Sequence, residues 1–209
     1  MGHIITIASS KGGAGKTALC MVLGANMAAL GRRTAVVDAD PNRSFSDWHA
    51  YNYDRTPFDC VAETRETAVV EQAQALAETH DTVLIDTAGF GNRTALMAMG
   101  TADLVLVPVM PDRHSVREAI RTAAEVAAVG KLARRVIPVR AVGSRWHKGG
   151  LAERAAVADL AAAGVTLARG TLPALSAMDK ATFSGDVPLV GSVGAAVDRL
   201  LEEIGEGVG

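Results

Sequence analysis

A glycine-rich turn near the start of the chain, Ser9–Thr17, holds the residues with the clearest chemistry, in the order SSKGGAGKT. An apolar stretch over Ile4–Ala8 leads into this turn, and a helical pattern over Ala18–Leu30 follows it. A strand, a glycine-rich turn and a helix N-terminus together direct backbone N–H groups and a positive dipole end toward a bound phosphate. We therefore predict a phosphate-binding loop, in which Lys16 reaches the β- and γ-phosphates of a nucleotide and Thr17 binds Mg²⁺.

Carboxylates follow two later strand-like runs. The run TAVV continues into the motif DADP, which contains Asp38 and Asp40. Of two carboxylates at this spacing on a strand end, one can hold a metal-bound water and the other can orient an attacking water toward the γ-phosphate. The apolar run Thr82–Ile85 ends in Asp86, which is typical of a Walker B strand whose carboxylate binds Mg²⁺ through water. Gly89 follows, where it lets the backbone approach the γ-phosphate.

The loop pattern K-G-G-x-G-K-T resembles the deviant Walker A loop of the ParA/MinD family, with Lys11 as the additional lysine and Ser10 in place of the usual first glycine. In that family the additional lysine crosses a dimer interface and contacts the nucleotide of the partner. The resemblance therefore implies that Lys11 acts in trans, beside the catalytic Lys16 of each site. It also implies nucleotide contacts at Gly12, Gly13, Ala14, Gly15, Lys16, Thr17 and Ala18.

The motif D-A-D-P likewise resembles the second nucleotide motif of the ParA/MinD family. By that resemblance Asp40 orients the attacking water, while Asp38 lies in the Mg²⁺ shell together with Thr17 and Asp86. The residues after this motif, Asn42–Trp48, are similar to those of small plasmid-borne members, including members from conjugative transfer-DNA systems.

Two other positions bear on nucleotide binding. Relatives carry a threonine, which contacts the α-phosphate, where this chain has Ala18, so the resemblance implies a reduced affinity for nucleotide. The segment Arg169–Pro173 follows the last strand-like run, and the corresponding loop of relatives lies beside the adenine.

The resemblance extends from Ile4 to about Leu201 and implies an ATPase that uses ATP and Mg²⁺ and forms a sandwich homodimer around its nucleotides. The ATP-bound dimer of such proteins binds DNA without sequence preference. Hydrolysis is slow alone, is stimulated by a ParB-like or other adaptor protein, and releases the DNA, which positions plasmid or other cargo. The implied location is the cytoplasm, on the nucleoid in the ATP state, with no stable insertion into a membrane.

A local basic region is the candidate DNA contact, because the net charge of the whole chain is only −2. Between Lys131 and Lys180 there are nine Lys and Arg residues and three acids, whereas from Asp186 onward there are one Arg and five acids. The loop sequence RAVGSRWHK mixes basic side chains with an indole, which suits contact with a phosphate backbone. Since family members bind DNA through their carboxyl-terminal half, the candidates are Arg145, Lys148 and Arg154. A solvated helical surface is the simpler alternative.

Apolar strand-like runs alternate with helical patterns along the 209 residues. Strands are predicted over His3–Ala8, Thr34–Val37, Phe58–Val61, Thr82–Ile85, Leu104–Val107, Val136–Val139 and Val165–Ala168. Helices are predicted over Ala18–Leu30, Thr67–Thr79, Arg93–Met99, Ser115–Val129, Leu151–Ala163 and Val193–Ile204. The alternation predicts an α/β fold, a doubly wound and mostly parallel sheet with helices on both faces, in a single ParA-like P-loop domain over residues 1–209. Ligands of such sheets bind at the carboxyl ends of the strands, where all the motifs lie.

Composition argues against several other classes. No apolar run approaches the roughly 18 residues of a membrane-spanning helix, and we expect neither a signal peptide nor an added helix-turn-helix domain before the first strand. Cys20 and Cys60 do not form a C-x-x-C pair. We therefore expect two buried thiols in a reducing cytoplasm rather than an iron–sulfur site.

Three other functions of this fold are alternatives. A MinD-like membrane-cycling ATPase needs a basic amphipathic tail, which the acidic, glycine-containing end of this chain disfavours. A small-molecule ATP-dependent ligase, similar to dethiobiotin synthetase, is disfavoured by Lys11 and its loop. A tyrosine autokinase needs a tyrosine-rich tail, whereas the only tyrosines are Tyr51 and Tyr53.

Overall fold

The structure, a computed structural model, describes residues 1–89, 93–147, 149–174 and 176–207. Its strands are β1 His3–Ile7, β2 Thr34–Ala39, β3 Asp59–Ala62, β4 Thr82–Thr87, β5 Leu104–Val109 and β6 Val139–Gly143. Its helices are α1 Lys16–Ala29, α2 Ser44–Tyr51, α3 Glu66–Thr79, α4 Arg93–Thr101, α5 Arg113–Leu132, α6 Leu151–Ala162, α7 Ser176–Ser184 and α8 Gly191–Gly207. The strands form one parallel sheet in the order β3-β2-β4-β1-β5-β6, which confirms the predicted fold class.

Helices cover both faces of the sheet. Alternate residues of a strand point to opposite faces, so a strand contributes side chains to the core on each side. Ile5 and Ile7 of β1 belong to an apolar cluster with residues of α1, α2, α7 and α8. Ile4 belongs to a second cluster with residues of α3, and a third cluster joins β5 to α4, α5 and α6. Every residue of β2, β4 and β5 is buried, as expected for central strands of a parallel sheet. Within the described ranges, no helix has both the length and the apolarity to cross a bilayer.

Strand β6 lies later in the chain than its apolar pattern indicates, so the predicted bounds Val136–Val139 are wrong. Val136 is 89% exposed, and β6 pairs with β5 only from Val139 onward, opposite Val105. Pro138 has no N–H to donate to a ladder, and its carbonyl accepts a hydrogen bond from the Val105 N–H instead. Regular pairing therefore starts after the proline.

The segment Val165–Ala168 forms a single bridge rather than the predicted strand. Only Leu167 pairs with β6, opposite Ala141, through hydrogen bonds that involve Thr166 and Ala168 on either side. The chain then runs along the carboxyl end of β6, where the Leu172 N–H donates to the Gly143 carbonyl. This brief contact brings the following loop to the same edge of the sheet as the glycine-rich turn.

The two cysteines differ in burial, which corrects the expectation that both are buried. Both thiols are free, but Cys20 is fully buried and Cys60, on the edge strand β3, is only half-buried. Burial raises the pKa of the Cys60 thiol to about 11 against the opposing hydrogen bond of Ser46. Both thiols therefore stay protonated near neutral pH.

The short helices α2 and α7 do not appear among the sequence-based predictions. Helix α2 has only eight residues, of which Phe45 and Trp48 are buried, and this is too short for a helical period to stand out. It begins after Arg43, whose left-handed φ of 53° turns the chain away from the D-A-D-P motif. The Trp48 indole Nε1 donates a buried hydrogen bond of 2.8 Å to the carbonyl of Ala181 in α7. Trp48 therefore joins the two helices.

We predict that Trp48→Phe lowers the free energy of unfolding by about 1–3 kcal/mol, because it leaves the Ala181 carbonyl without its donor and removes buried volume. Urea denaturation measures the change. Tyr51→Phe is the control on the same helix, since Tyr51 is 84% exposed and its replacement should alter stability by less than about 0.5 kcal/mol. Equal stability of Trp48→Phe and wild type would contradict this contact.

Candidate functional site

The glycine-rich turn between β1 and α1 has an open outer side. Gly13 and Gly15 have φ values of +72° and +98°, which residues with a side chain rarely adopt. A Cβ atom at Gly12 or Gly13 would meet no described atom within 4 Å. A Cβ atom at Gly15 would lie 2.8 Å from the Ser144 Oγ, so the inner side of the turn packs against the segment after β6. The turn thus combines the backbone shape and the free face that a bound phosphate needs.

Helix α1 begins directly after this turn, at Lys16, and its preceding residue Gly15 has no side chain to cap it. The first turn of α1, which is described completely, carries no acidic residue. Its leading N–H groups and positive dipole end are therefore available to an anion. Lys16 is buried, and burial lowers the pKa of its ammonium group, an effect that Asp86 and Asp40 oppose.

Asp38 is a buried carboxylate with hydrogen bonds to both oxygens. The sheet register places it on β2 beside Asp86 on β4, at the carboxyl ends of the strands. Its Oδ1 accepts a hydrogen bond of 3.1 Å from the Asp40 N–H. Its Oδ2 accepts hydrogen bonds from the Ser46 N–H at 2.8 Å and the Ser46 hydroxyl at 2.7 Å. Asp38 therefore ties the D-A-D-P turn to α2, and its place in a Mg²⁺ shell stays a prediction.

Asp86 differs from Asp38, because neither of its two buried carboxylate oxygens accepts a hydrogen bond from the described residues. Burial, together with the charges of Asp38 and Asp40, raises the pKa of Asp86 to about 7. Lys16 opposes this rise, as does the Thr17 hydroxyl, which lies nearby without forming a hydrogen bond of regular geometry. A buried carboxylate with no donor is unfavourable unless a cation or a proton compensates it.

Mg²⁺ fits this edge by its ligand chemistry, because it prefers oxygen atoms and keeps several waters. The Asp86 carboxylate and the Thr17 hydroxyl are two oxygen ligands that the described residues offer there. Among the described residues, no three His, Cys, Asp or Glu side chains group as metal ligands. A Mg²⁺ ion at this edge would therefore take its remaining ligands from phosphates and water, as in nucleotide-dependent sites.

Asp40 is half-buried on the turn after β2. Its Oδ1 accepts a hydrogen bond of 2.9 Å from the Asn42 N–H, and its carbonyl accepts one of 2.8 Å from the Arg43 N–H. Its charge also influences the pKa values of Lys16 and Asp86, which lie at the same edge. These contacts fix the turn, and the water-orienting role of Asp40 stays a prediction.

Lys11 pairs within its own chain. Its Nζ lies 3.3 Å from Asp112 Oδ2, while Asp112 Oδ1 caps α5 by accepting a hydrogen bond of 2.8 Å from the Ser115 N–H. The neighbouring Ser10 hydroxyl donates to Glu118 Oε2 at 2.7 Å. Ser10, in the position of the usual first glycine, thus fastens the start of the turn to α5. A role of Lys11 in trans stays a prediction.

A cleft of about 440 Å³ adjoins the turn. Its lining comes from Gly13, Gly15, Ala18, Ser144, Arg145, Leu172, Pro173, Ala174, Met178, Asp179 and Thr182. Leu172 and Pro173 belong to the segment that the resemblance places beside an adenine. The contribution of α7 had no signal in the sequence, because the helix itself is too short to be recognised there.

The three candidate DNA-binding residues have different surroundings. Arg145 is exposed and lines the cleft beside the turn. Arg154 is exposed on α6, and its Nη1 donates to the Gly149 carbonyl. Lys148 lies outside the described residues. Trp146 is 8% exposed and its backbone N–H donates a hydrogen bond to the Leu172 carbonyl, so this residue anchors the loop.

Comparison with known proteins gives a family match. The model of the family described as VirC1 protein matches residues 2–165. Protein ParA from Rhizobium radiobacter is 32% identical over 108 residues, which are 52% of this chain and 49% of that protein. Protein virC1 from Rhizobium rhizogenes is 34% identical over 124 residues, 57% of this chain and 54% of that protein. The chain spans about half the length of the curated relatives that it matches.

Solved structures share the fold over nearly the whole chain. Apo McdA from Cyanothece has a TM-score of 0.81 at 16% identity and covers 100% of both chains. MinD from Pyrococcus horikoshii OT3, in complex with Mg-ADP, has a TM-score of 0.72 at 18% identity over 98% of this chain and 96% of that one. Cobyrinic acid a,c-diamide synthase from Mycobacterium smegmatis, with an ATP analogue and magnesium, has a TM-score of 0.76 at 17% identity over 99% and 97%. At these identities the likeness shows the fold alone.

We predict that Asp86→Asn changes how stability depends on pH when Mg²⁺ is absent. Folding raises the pKa of Asp86 to about 7, so between about pH 4 and that value the folded wild type binds more protons than the unfolded chain. The free energy of unfolding of the wild type therefore falls as the pH rises through this window. An amide does not ionise, so the variant should be the more stable protein at about pH 8, by up to about 4 kcal/mol.

Urea denaturation in EDTA at about pH 5 and about pH 8 measures this difference. Asp38→Asn is the comparison at the neighbouring buried carboxylate, which already has donors, and it should lower stability at about pH 5. At about pH 8 the loss of its repulsion toward Asp86 offsets part of that cost. Parallel pH profiles for wild type and Asp86→Asn would show that the Asp86 carboxylate is not destabilising.

Proposed function

The chain belongs to the VirC1 family, and we propose that it is an ATP-dependent positioning ATPase of the ParA type. The family match and the ParA and virC1 relatives confirm its resemblance to the ParA/MinD family, and the fold that it shares with McdA and MinD agrees with this. In our proposal, Mg²⁺ and ATP drive two copies into a sandwich homodimer that binds DNA without sequence preference. An adaptor protein stimulates an otherwise slow hydrolysis, and hydrolysis releases the DNA.

The buried Asp86 carboxylate beside the open glycine-rich turn is the observation that carries this proposal. The turn and the start of α1 offer N–H groups to phosphate, and Lys16 adds a buried positive charge. Asp86 lacks any described donor and has the Thr17 hydroxyl nearby. An anion site and a cation site next to each other suit one ligand class especially well, a nucleoside triphosphate with its Mg²⁺.

The residues that bind phosphate, hold the cation and orient the water have separate roles in the proposed mechanism. The backbone of Gly12–Gly15 binds phosphate oxygens, and Lys16 neutralises charge at the β- and γ-phosphates. Thr17 and Asp86 would hold Mg²⁺, which supplies further charge neutralisation when bound. Asp40 accepts a hydrogen bond from a water and orients it toward the γ-phosphate. Because the chemistry requires mainly positioning, loss of Asp40 should affect turnover far more than binding.

Dimerisation requires Lys11 to exchange its partner. Lys11 and Asp112 have side chains that are 19% and 47% exposed, so their ion pair is worth at most about 1 kcal/mol. A phosphate of the nucleotide bound to the second subunit can replace Asp112 as the partner of Lys11 at little cost in free energy, because a phosphate group carries more charge than a carboxylate. In the proposal this exchange makes the dimer dependent on ATP.

We propose the cargo and the location on the basis of the relatives. The relatives named ParA and virC1 favour plasmid or conjugative DNA as cargo and a ParB-like or other adaptor as the activating partner. We assign the protein to the cytoplasm, associated with the nucleoid in its ATP state. All 209 residues act as a single ParA-like domain in this proposal.

We predict that Asp40→Ala still binds ATP, dimerises and binds DNA, while its hydrolysis falls by at least about 100-fold for lack of an oriented water. Lys16→Ala should bind no nucleotide and stay monomeric. Light scattering and binding to a random-sequence DNA duplex, each with ATP, with ADP and without nucleotide, measure these states. Retained turnover in Asp40→Ala would move the water-orienting role to another group.

The wild type distinguishes the proposal from its alternatives in the same experiment. An ATP-dependent dimer that binds the duplex supports a positioning ATPase. An ATP-dependent dimer without DNA binding contradicts the DNA step and favours a membrane or protein scaffold. Nucleotide binding without dimerisation contradicts the sandwich dimer and favours a small-molecule ligase of this fold.

A further inference from the structure

The cleft beside the glycine-rich turn is large enough for the part of a nucleotide that the turn does not hold. It has a volume of about 440 Å³, within the range of small-molecule sites. Gly13 and Gly15 belong to both the turn and the lining of the cleft, so a nucleotide whose phosphates bind the turn can extend into the cleft. Among the described residues that line it, Arg145 is the only cationic side chain and Asp179 the only acidic one.

Arg145 is held beside the turn by its neighbours. The Ser144 N–H donates to the Val109 carbonyl at 2.8 Å, and the Trp146 N–H donates to the Leu172 carbonyl at 3.0 Å. The Ser144 hydroxyl lies 2.8 Å from where a Cβ atom of Gly15 would be. Arg145 itself has a left-handed φ of 55°, a conformation that non-glycine residues adopt at a cost and often at functional sites.

The Arg145 guanidinium makes no hydrogen bond or ion pair with the described residues, whereas two other arginines in this part of the sequence do. Arg140 pairs with Glu203, and Arg154 donates to the Gly149 carbonyl. Ala18, which lines the same cleft on α1, offers only a methyl group. A ligand phosphate in this cleft would therefore find its charged donor at Arg145.

We propose that Arg145 is a nucleotide-binding residue whose guanidinium pairs with the phosphate nearest the ribose. This inference rests on the proposed function and adds to it a residue that the sequence assigned to DNA. The planar guanidinium matches the geometry of phosphate oxygens and binds them with two donors. Asp179 favours the same orientation of the nucleotide, with its phosphates at Arg145 and its nucleoside near Asp179. A carboxylate repels phosphates, and it accepts hydrogen bonds from the hydroxyl and amine groups of a nucleoside.

The assignment has a consequence for DNA binding. An Arg145 guanidinium bound to a nucleotide phosphate is not available to a DNA phosphate. DNA contact then depends on other basic residues, such as the exposed Arg154 on α6.

Calorimetric titration of Mg²⁺ and ADP into matched variants tests this inference. Arg145→Gln keeps the length of the side chain and removes its charge, so we expect the Kd for ADP to rise about tenfold or more. Arg145→Lys keeps the positive charge, so its Kd for ADP should rise less than that of Arg145→Gln. Ala18→Thr, added to Arg145→Gln, supplies a hydroxyl in the same cleft and should recover part of the affinity. Arg154→Gln is the control and should change the Kd by less than about twofold.

DNA binding at saturating ATP is the second readout, and thermal unfolding without nucleotide checks that each variant folds. We expect Arg145→Gln to bind the duplex with the same affinity and salt dependence as wild type. An unchanged Kd for ADP combined with weakened DNA binding would overturn the inference and restore Arg145 as a DNA contact. A wild type that binds no ADP would contradict the proposed function itself, whereas a wild type that binds ADP with no loss in Arg145→Gln contradicts only this assignment.

Discussion

The site depends on one physical constraint. The buried carboxylate of Asp86 has no hydrogen-bond donor among the described residues. Parallel pairing of β2 with β4 places it beside Asp38, and two adjacent buried carboxylates repel each other. Asp38 is stabilised by the Ser46 and Asp40 donors, so the unfavourable charge is concentrated on Asp86. Lys16 offsets it only in part, since the pKa of Asp86 is still raised to about 7. The carboxyl edge of the sheet therefore favours a bound cation, next to a turn that favours a bound anion.

Helices α2 and α7 connect this edge to the cleft. Ser46 at the start of α2 binds the Asp38 carboxylate, and Trp48 on the same helix binds the Ala181 carbonyl of α7. Two residues before Ala181 on α7, Asp179 lines the cleft. These hydrogen bonds thus link the carboxylates through α2 to the helix that lines the cleft, and the apolar cluster that includes α1, α2 and α7 packs beneath them. A site of this kind needs such support, because small displacements of positioned groups cost much of their effect.

The sequence was sufficient for the parts of the site that depend on motifs within one segment. The glycine-rich turn, the D-A-D-P motif and the position of Asp86 at a strand end follow from local patterns, and the sheet brings them together as expected. Helix α7 could not be predicted, because its nine residues show no helical period and its contact with α2 depends on one indole far away in the chain. The location of Arg145 at the cleft had no signal in the sequence, since a basic loop looks the same in sequence whether it faces DNA or a cleft.

The most direct test is a calorimetric titration of ADP into the wild-type protein with Mg²⁺ and with EDTA. The proposed site predicts one ADP per chain, binding that is clearly tighter with Mg²⁺, and loss of the signal in Lys16→Ala. Equal affinity with and without Mg²⁺, or no binding of ADP at all, would contradict the claim that the turn and Asp86 form one site for a nucleotide and its cation.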